Sequence, residues 1–169
     1  MPGSPTDGEG EAPVAVSAAE YLWFVDRALN GMQAIVEDLG DELVNRRPPL
    51  RGANSAYVIL THCLGVMEYW GGATVAERPV QRDRPAEFVA DGDVAGLLRR
   101  SEQGRRRLRE DLVGLQARAE PVNVRRAPDD PVPYTETKGA VLLHLLQELY
   151  QHLGQMELTR DMLVAAQRQ

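Results

Sequence analysis

Four stretches of this 169-residue chain carry apolar residues at helical spacing, and none shows the alternation of a strand. In the first, Tyr21, Leu22, Val25, Leu29, Met32, Ile35, Val36 and Leu39 keep the step of a helix. Ser17 followed by Glu20 is a capping box that starts it, and Gly40 is a stop signal. The second runs from a cap at Asn54-Ser55 to about Trp70 and closes at Gly71-Gly72. Val58, Ile59, His62, Val66 and Trp70 share one broad face of it. The third covers roughly 93–118, marked by Val94, Leu97, Leu98, Leu108, Leu112 and Leu115 and interrupted by Gly104. The fourth begins near Thr137 and reaches about Ala166, lined by Val141, Leu142, Leu145, Leu149, Met156 and Leu163. Four such helices predict an all-α fold, a four-helix bundle.

The connections are long. Residues 73–92 hold Pro79, Pro85 and many charges, enough chain to cross the end of a bundle or form a lid. Residues 119–136 hold four prolines. Residues 1–16, with three prolines and three glycines, are expected to be a disordered tail, leaving 17–169 as one domain.

Composition excludes several classes. The net charge of −6 argues against a general nucleic-acid binder. The arginine run Arg99, Arg100, Arg105, Arg106, Arg107 and Arg109 scatters around its helix and reads as a solvated face. No apolar run approaches the roughly 18 residues of a membrane span. The polar, acidic start is the reverse of a secretion signal. Cys63, the single cysteine, allows no internal disulfide and no cysteine zinc cage. A reducing, cytoplasmic setting is expected.

Three metal-competent side chains recur every four residues in the fourth helix: His144, Glu148 and His152. Each step of four rises about 6 Å and turns about 400°, so neighbours stand nearly above one another. The outer two are about 12 Å apart and cannot grip one ion together. Either His144/Glu148 or Glu148/His152 can share an ion, and spacing does not choose between them. The remaining histidine, His62, lies on the apolar side of the second helix. Imidazoles and a carboxylate converging from two helices would make a three-ligand metal site with an open position. Against this stand ordinary readings: a helical Glu facing solvent and core histidines satisfied by hydrogen bonds. Gln155 and Arg160 are candidates for holding an anionic substrate, with surface pairing of Arg160 to Glu157 or Asp161 as the alternative. Cys63 reads as a buried structural thiol. Trp23, Tyr69, Trp70 and Tyr150 read as core or interface.

The segment Thr137 to Asp161, TKGAVLLHLLQELYQHLGQMELTRD, resembles the last helix of the DinB/YfiT-like metalloenzyme superfamily. Asn54-Ser55 through Leu60-Thr61-His62 to Tyr69-Trp70 resembles its second helix. Arg82-Asp83-Arg84-Pro85-Ala86-Glu87-Phe88 is similar to the following connection in actinobacterial members. The resemblance covers most of residues 17–167 and implies an up-down-down-up bundle. It also implies that a His of the second helix and two residues four apart on the fourth bind a divalent metal. By that resemblance the ligands are His62, Glu148 and His152, and His144 falls one turn outside. Glu148 stands where many members have His, a departure shared with the mycothiol-dependent maleylpyruvate isomerase branch. The implied cofactor is Zn2+, with Ni2+, Fe2+, Mn2+ or cobalt also suited to such ligands. The implied partners are a small-molecule thiol such as mycothiol and an electrophile, which the thiol attacks in a transfer or an isomerisation. A non-catalytic metal-binding or stress-response protein is the alternative. Exposed apolar residues on helix 1 or 3 would favour a homodimer.

Overall fold

The computed structural model describes residues 15–124 and 135–168. Most of the expected N-terminal tail, residues 1–14, and the proline-rich middle of the 119–136 connection lie outside the described residues. The described chain is helical and contains no strand. Its helices are α1 (Ala18–Leu43), α2 (Ala56–Val66), α3 (Arg84–Glu87), α4 (Val94–Asp111) and α5 (Lys138–Gln167). No described helix is long and apolar enough to cross a membrane.

Local chemistry fixes the starts. At α1, Ser17 Oγ accepts from the Glu20 backbone N–H at 3.1 Å and the Glu20 carboxylate accepts from the Ser17 N–H at 2.8 Å. This is the capping box, complete in both directions. Ser55 caps α2, Asp93 caps α4 and Thr137 caps α5, each accepting from the backbone N–H three residues on. Gly40 does not end α1 outright. It takes φ 58°, kinks the helix, and one further turn follows to Leu43.

The second helix departs most from expectation. Gly71-Gly72 does not terminate it; α2 widens into a π-helical segment, Met67–Val75. The bond from the Ala76 N–H to the Gly71 carbonyl, five residues back, is its signature. A Cβ on Gly71 would stand 2.6 Å from Leu108 Cδ1, so the bare backbone is the surface on which α4 packs. The glycines serve close approach here and not chain reversal.

α5 packs on α1, α2 and the π-helical segment, and α4 covers α1, α2 and that segment. Leu29 and Met32 of α1, Ile59 and Leu60 of α2, Leu97 and Leu108 of α4, and Leu145, Leu149 and Met156 of α5 are fully buried in the shared core. Each such side chain contributes about 1.5–3 kcal/mol of burial. Tyr21 donates its buried hydroxyl to the Leu142 carbonyl at 3.0 Å, tying α1 to α5. Burial pushes the pKa of that phenol up. Trp23, by contrast, is 56% exposed, so it is not a core residue.

Part of the arginine run is not a free solvated face. Arg105 donates to Asn30 Oδ1 at 2.7 Å and pairs with Asp26, while Arg109 pairs with the same Asp26. Arg107 reaches Glu68 of the π-helical segment at 3.0 Å. The α4 register sets its charges against acids of α1 and the second helix, and the run stitches α4 to both.

Candidate metal centre

His62 lies in the middle of α2, a helix so apolar that nearly every residue in it is buried, and the residue is 7% exposed. Glu148 and His152 stand one turn apart on α5, half-buried. A ligand-competent atom of each of the three residues lies within 4.8 Å of those of the other two. His152 Nε2 is 3.6 Å from Glu148 Oε2. Two donors bound tetrahedrally to one zinc at their usual bond lengths sit about 3.4 Å apart. The α5 pair is thus already close to the spacing of co-ligands.

The outward nitrogens of both rings are occupied by protein. His62 Nδ1 meets Glu87 Oε2 at 2.8 Å, and His152 Nδ1 meets Gln155 Oε1 at 2.9 Å. A carboxylate engaged by arginine and an amide oxygen can only accept, so both contacts are Nδ1–H donations. That leaves Nε2 of each ring with its lone pair. Two imidazoles oriented in this way and one carboxylate fit a divalent cation, and the partners on Nδ1 are those that metal-bound histidines usually have.

The resemblance takes in the 82–88 segment but gives Glu87 no role, and spacing alone leaves it one acid in a charged connection. The structure makes it a buried group, 7% exposed. Asp83 caps the short α3 by accepting from the Ala86 N–H at 3.1 Å, and this turn aims Glu87 at α2. Arg82 grips both Glu87 oxygens, from Nε at 2.6 Å and from Nη2 at 2.9 Å. The fork satisfies a charge that would otherwise be costly to bury. Gly65 makes room on α2: a Cβ there would collide with Glu87 Oε1. Phe88 lays its ring on His62, centroids 5.1 Å apart, and Arg47 holds the Phe88 carbonyl at 2.9 Å. The 73–92 connection therefore forms one wall of the site. Burial lowers the pKa of His62, and the hydrogen bond to Glu87 pulls the other way.

The other candidates separate cleanly. His144 lies outside the triad, its ring edge-on to Trp70 at 5.3 Å. Arg160 pairs with Asp161 at 2.8 Å on the surface. Gln155 does not await a substrate; it holds His152. Cys63 is fully buried, and burial, with Glu148 and Glu87 nearby, pushes its thiol pKa up. It is a neutral core thiol and a poor nucleophile.

Residues 21–165 match the family model described as mycothiol-S-transferase, a DinB-like family. No curated protein and no solved structure matches the chain significantly. The matched span takes in α2, the connection carrying Glu87, and the α5 segment that bears Glu148 and His152. On that match over most of its length, the chain belongs to the mycothiol-S-transferase family.

Proposed function

We propose that this protein joins mycothiol, or a closely similar thiol, to a small electrophile, using a divalent cation held by His62, Glu148 and His152. The observation that carries the reading is the convergence of these three side chains within 4.8 Å in a chain of this family. A bound cation would lower the pKa of a thiol so that thiolate is available at neutral pH. In the reaction, the sulfur bonds to the electrophilic carbon, the leaving group departs with the bonding pair, and the thiol proton passes to water. Cys63 cannot supply that sulfur, being a buried neutral thiol. The nucleophile must arrive with a ligand, which agrees with a thiol co-substrate.

His62 and His152 serve as fixed donors, because their Nδ1 atoms are committed to Glu87 and Gln155. Glu148 contributes the negative charge that makes the set favourable for a cation. Zinc suits two imidazoles and a carboxylate best, and nickel, iron, manganese and cobalt suit them too. The family match favours transfer over the isomerisation that the His, Glu, His pattern also suggests. The proposed frame is a four-helix bundle of up-down-down-up order over residues 17–169, working in the cytoplasm. The exposed Trp23 and Phe24 on α1 favour a homodimer, checked by light scattering on a sizing column.

The test is conjugation of mycothiol to a chromogenic electrophile by metal-loaded and chelator-treated protein, beside His62→Ala. Turnover that requires both metal and His62 is expected. Metal uptake without turnover on a panel of electrophiles would favour a non-catalytic metal-binding role.

A further inference from the structure

We propose that Arg82 and Glu87 are a positioning pair for the metal centre: they hold His62 as its Nδ1–H tautomer and thereby raise the affinity of the site for its cation. The inference rests on the metal reading above and adds two residues outside the three ligands.

Four observations carry it. Glu87 Oε2 lies 2.8 Å from His62 Nδ1 while both its oxygens accept from Arg82. The carboxylate is thus fixed in place and able only to accept from the ring. A surface ion pair of Arg82 with Glu87 would need no such contact. Second, the helix that carries His62 is hollowed for this carboxylate at Gly65, one turn on, where any Cβ would strike Glu87. Third, the connection is pinned directly after the contact. Arg47 holds the Phe88 carbonyl, and Asn45 bonds both the N–H and the carbonyl of Gly92. Fourth, Phe88 packs on the same imidazole, the two rings tilted by 36°. A free neutral imidazole prefers its proton on Nε2, the atom needed for the cation. Reversing that preference before the ion arrives removes a cost of binding, and outer partners of this kind change metal affinity by about 10–100-fold.

The experiment has two readouts on the full chain. The first is the nitrogen-15 NMR spectrum of the His62 ring in metal-free protein at about pH 8, where the neutral form dominates. The second is Zn2+ titration against a competing chelator. Wild type is expected to show protonated Nδ1 and bare Nε2. Glu87→Ala should shift the ring toward the Nε2–H tautomer and weaken Zn2+ by about 10–100-fold at unchanged stoichiometry. Glu87→Gln, whose amide oxygen still accepts, should recover most of the affinity. If Glu87→Ala does not fold, Arg82→Gln takes its place and should weaken Zn2+ in the same direction. An Nε2–H ring in wild type, or wild-type affinity in a folded Glu87→Ala, would overturn the inference while leaving the three ligands standing. Wild-type protein that takes up no Zn2+ would overturn the metal reading and this inference with it, whatever the tautomer.

Discussion

The imidazoles of His62 and His152 stand edge to face, their centroids 5.0 Å apart and their planes at 87°. They come from α2 and α5, helices far apart in the chain and packed side by side. With each Nδ1 bonded to a different partner, the two rings are held independently of one another. That arrangement makes the centre separable by mutation, one support at a time.

Glu148→Gln keeps the shape of the side chain and removes its charge. On the proposed ligand set, loss of a direct ligand should cost more than an outer-partner change, so metal affinity should fall by more than about 100-fold. Calorimetric titration with Zn2+ reads this directly. Retention of wild-type affinity would remove Glu148 from the ligand set.

Gln155→Leu deletes the acceptor at His152 Nδ1 without touching a ligand. Metal affinity should drop by about 10–100-fold while the fold is unchanged by circular dichroism. Arg160→Ala, whose partner is the neighbouring Asp161, should leave affinity where it was. Equal losses in the two variants would mean that the effect of Gln155 does not run through its bond to His152.

The pH response follows from His62. Its folded pKa lies below the ordinary value of 6.5, mainly because burial disfavours the charged ring. The unfolded chain therefore binds this proton more readily than the folded one. The associated stability is full above about 6.5 and is lost as pH falls through the folded pKa. Urea denaturation of metal-free protein between pH 8 and pH 5 should show this decline, and His62→Phe should flatten it. An equally steep decline in the variant would assign the effect to other groups.

Gly71→Ala would bring a Cβ to 2.6 Å from Leu108 Cδ1, in the seam where α4 meets the π-helical segment. Overpacking of this kind costs about 1–3 kcal/mol. Chemical denaturation should register it as a lower midpoint. A midpoint equal to wild type would show that Leu108 can turn aside freely.

Cys63 should resist thiol reagents in the native protein and react fully in denaturant, because it is completely buried and its thiol is held neutral. Rapid native labelling would indicate that α2 opens, and with it the helix that carries His62.

The helices were legible in the sequence because their causes are local. The caps at Ser17, Ser55 and Thr137 and the spacing of the buried leucines need only the chain within a turn or two. The metal-competent character of His62, Glu148 and His152 was legible as well. Spacing left two pairs on α5 open, and a resemblance selected the one that the fold brings beside His62. Glu87 was not legible. It lies 25 residues from His62, and an acid in a charged loop carries no periodic signal. Only the docking of α3 onto Gly65 turns it into a buried partner. Gln155 likewise looked like a group facing a ligand, and only its rotamer on α5 shows it bound to His152. Gly71-Gly72 looked like a stop, since glycine weakens a helix in isolation. Packing against Leu108 reversed that preference and carried the helix on as a π segment. Local backbone and side-chain chemistry thus set which helices form and which residues can act as donors. The choice of ring nitrogen and the walls around the donors depend on contacts between distant segments, which exist only once the chain is packed.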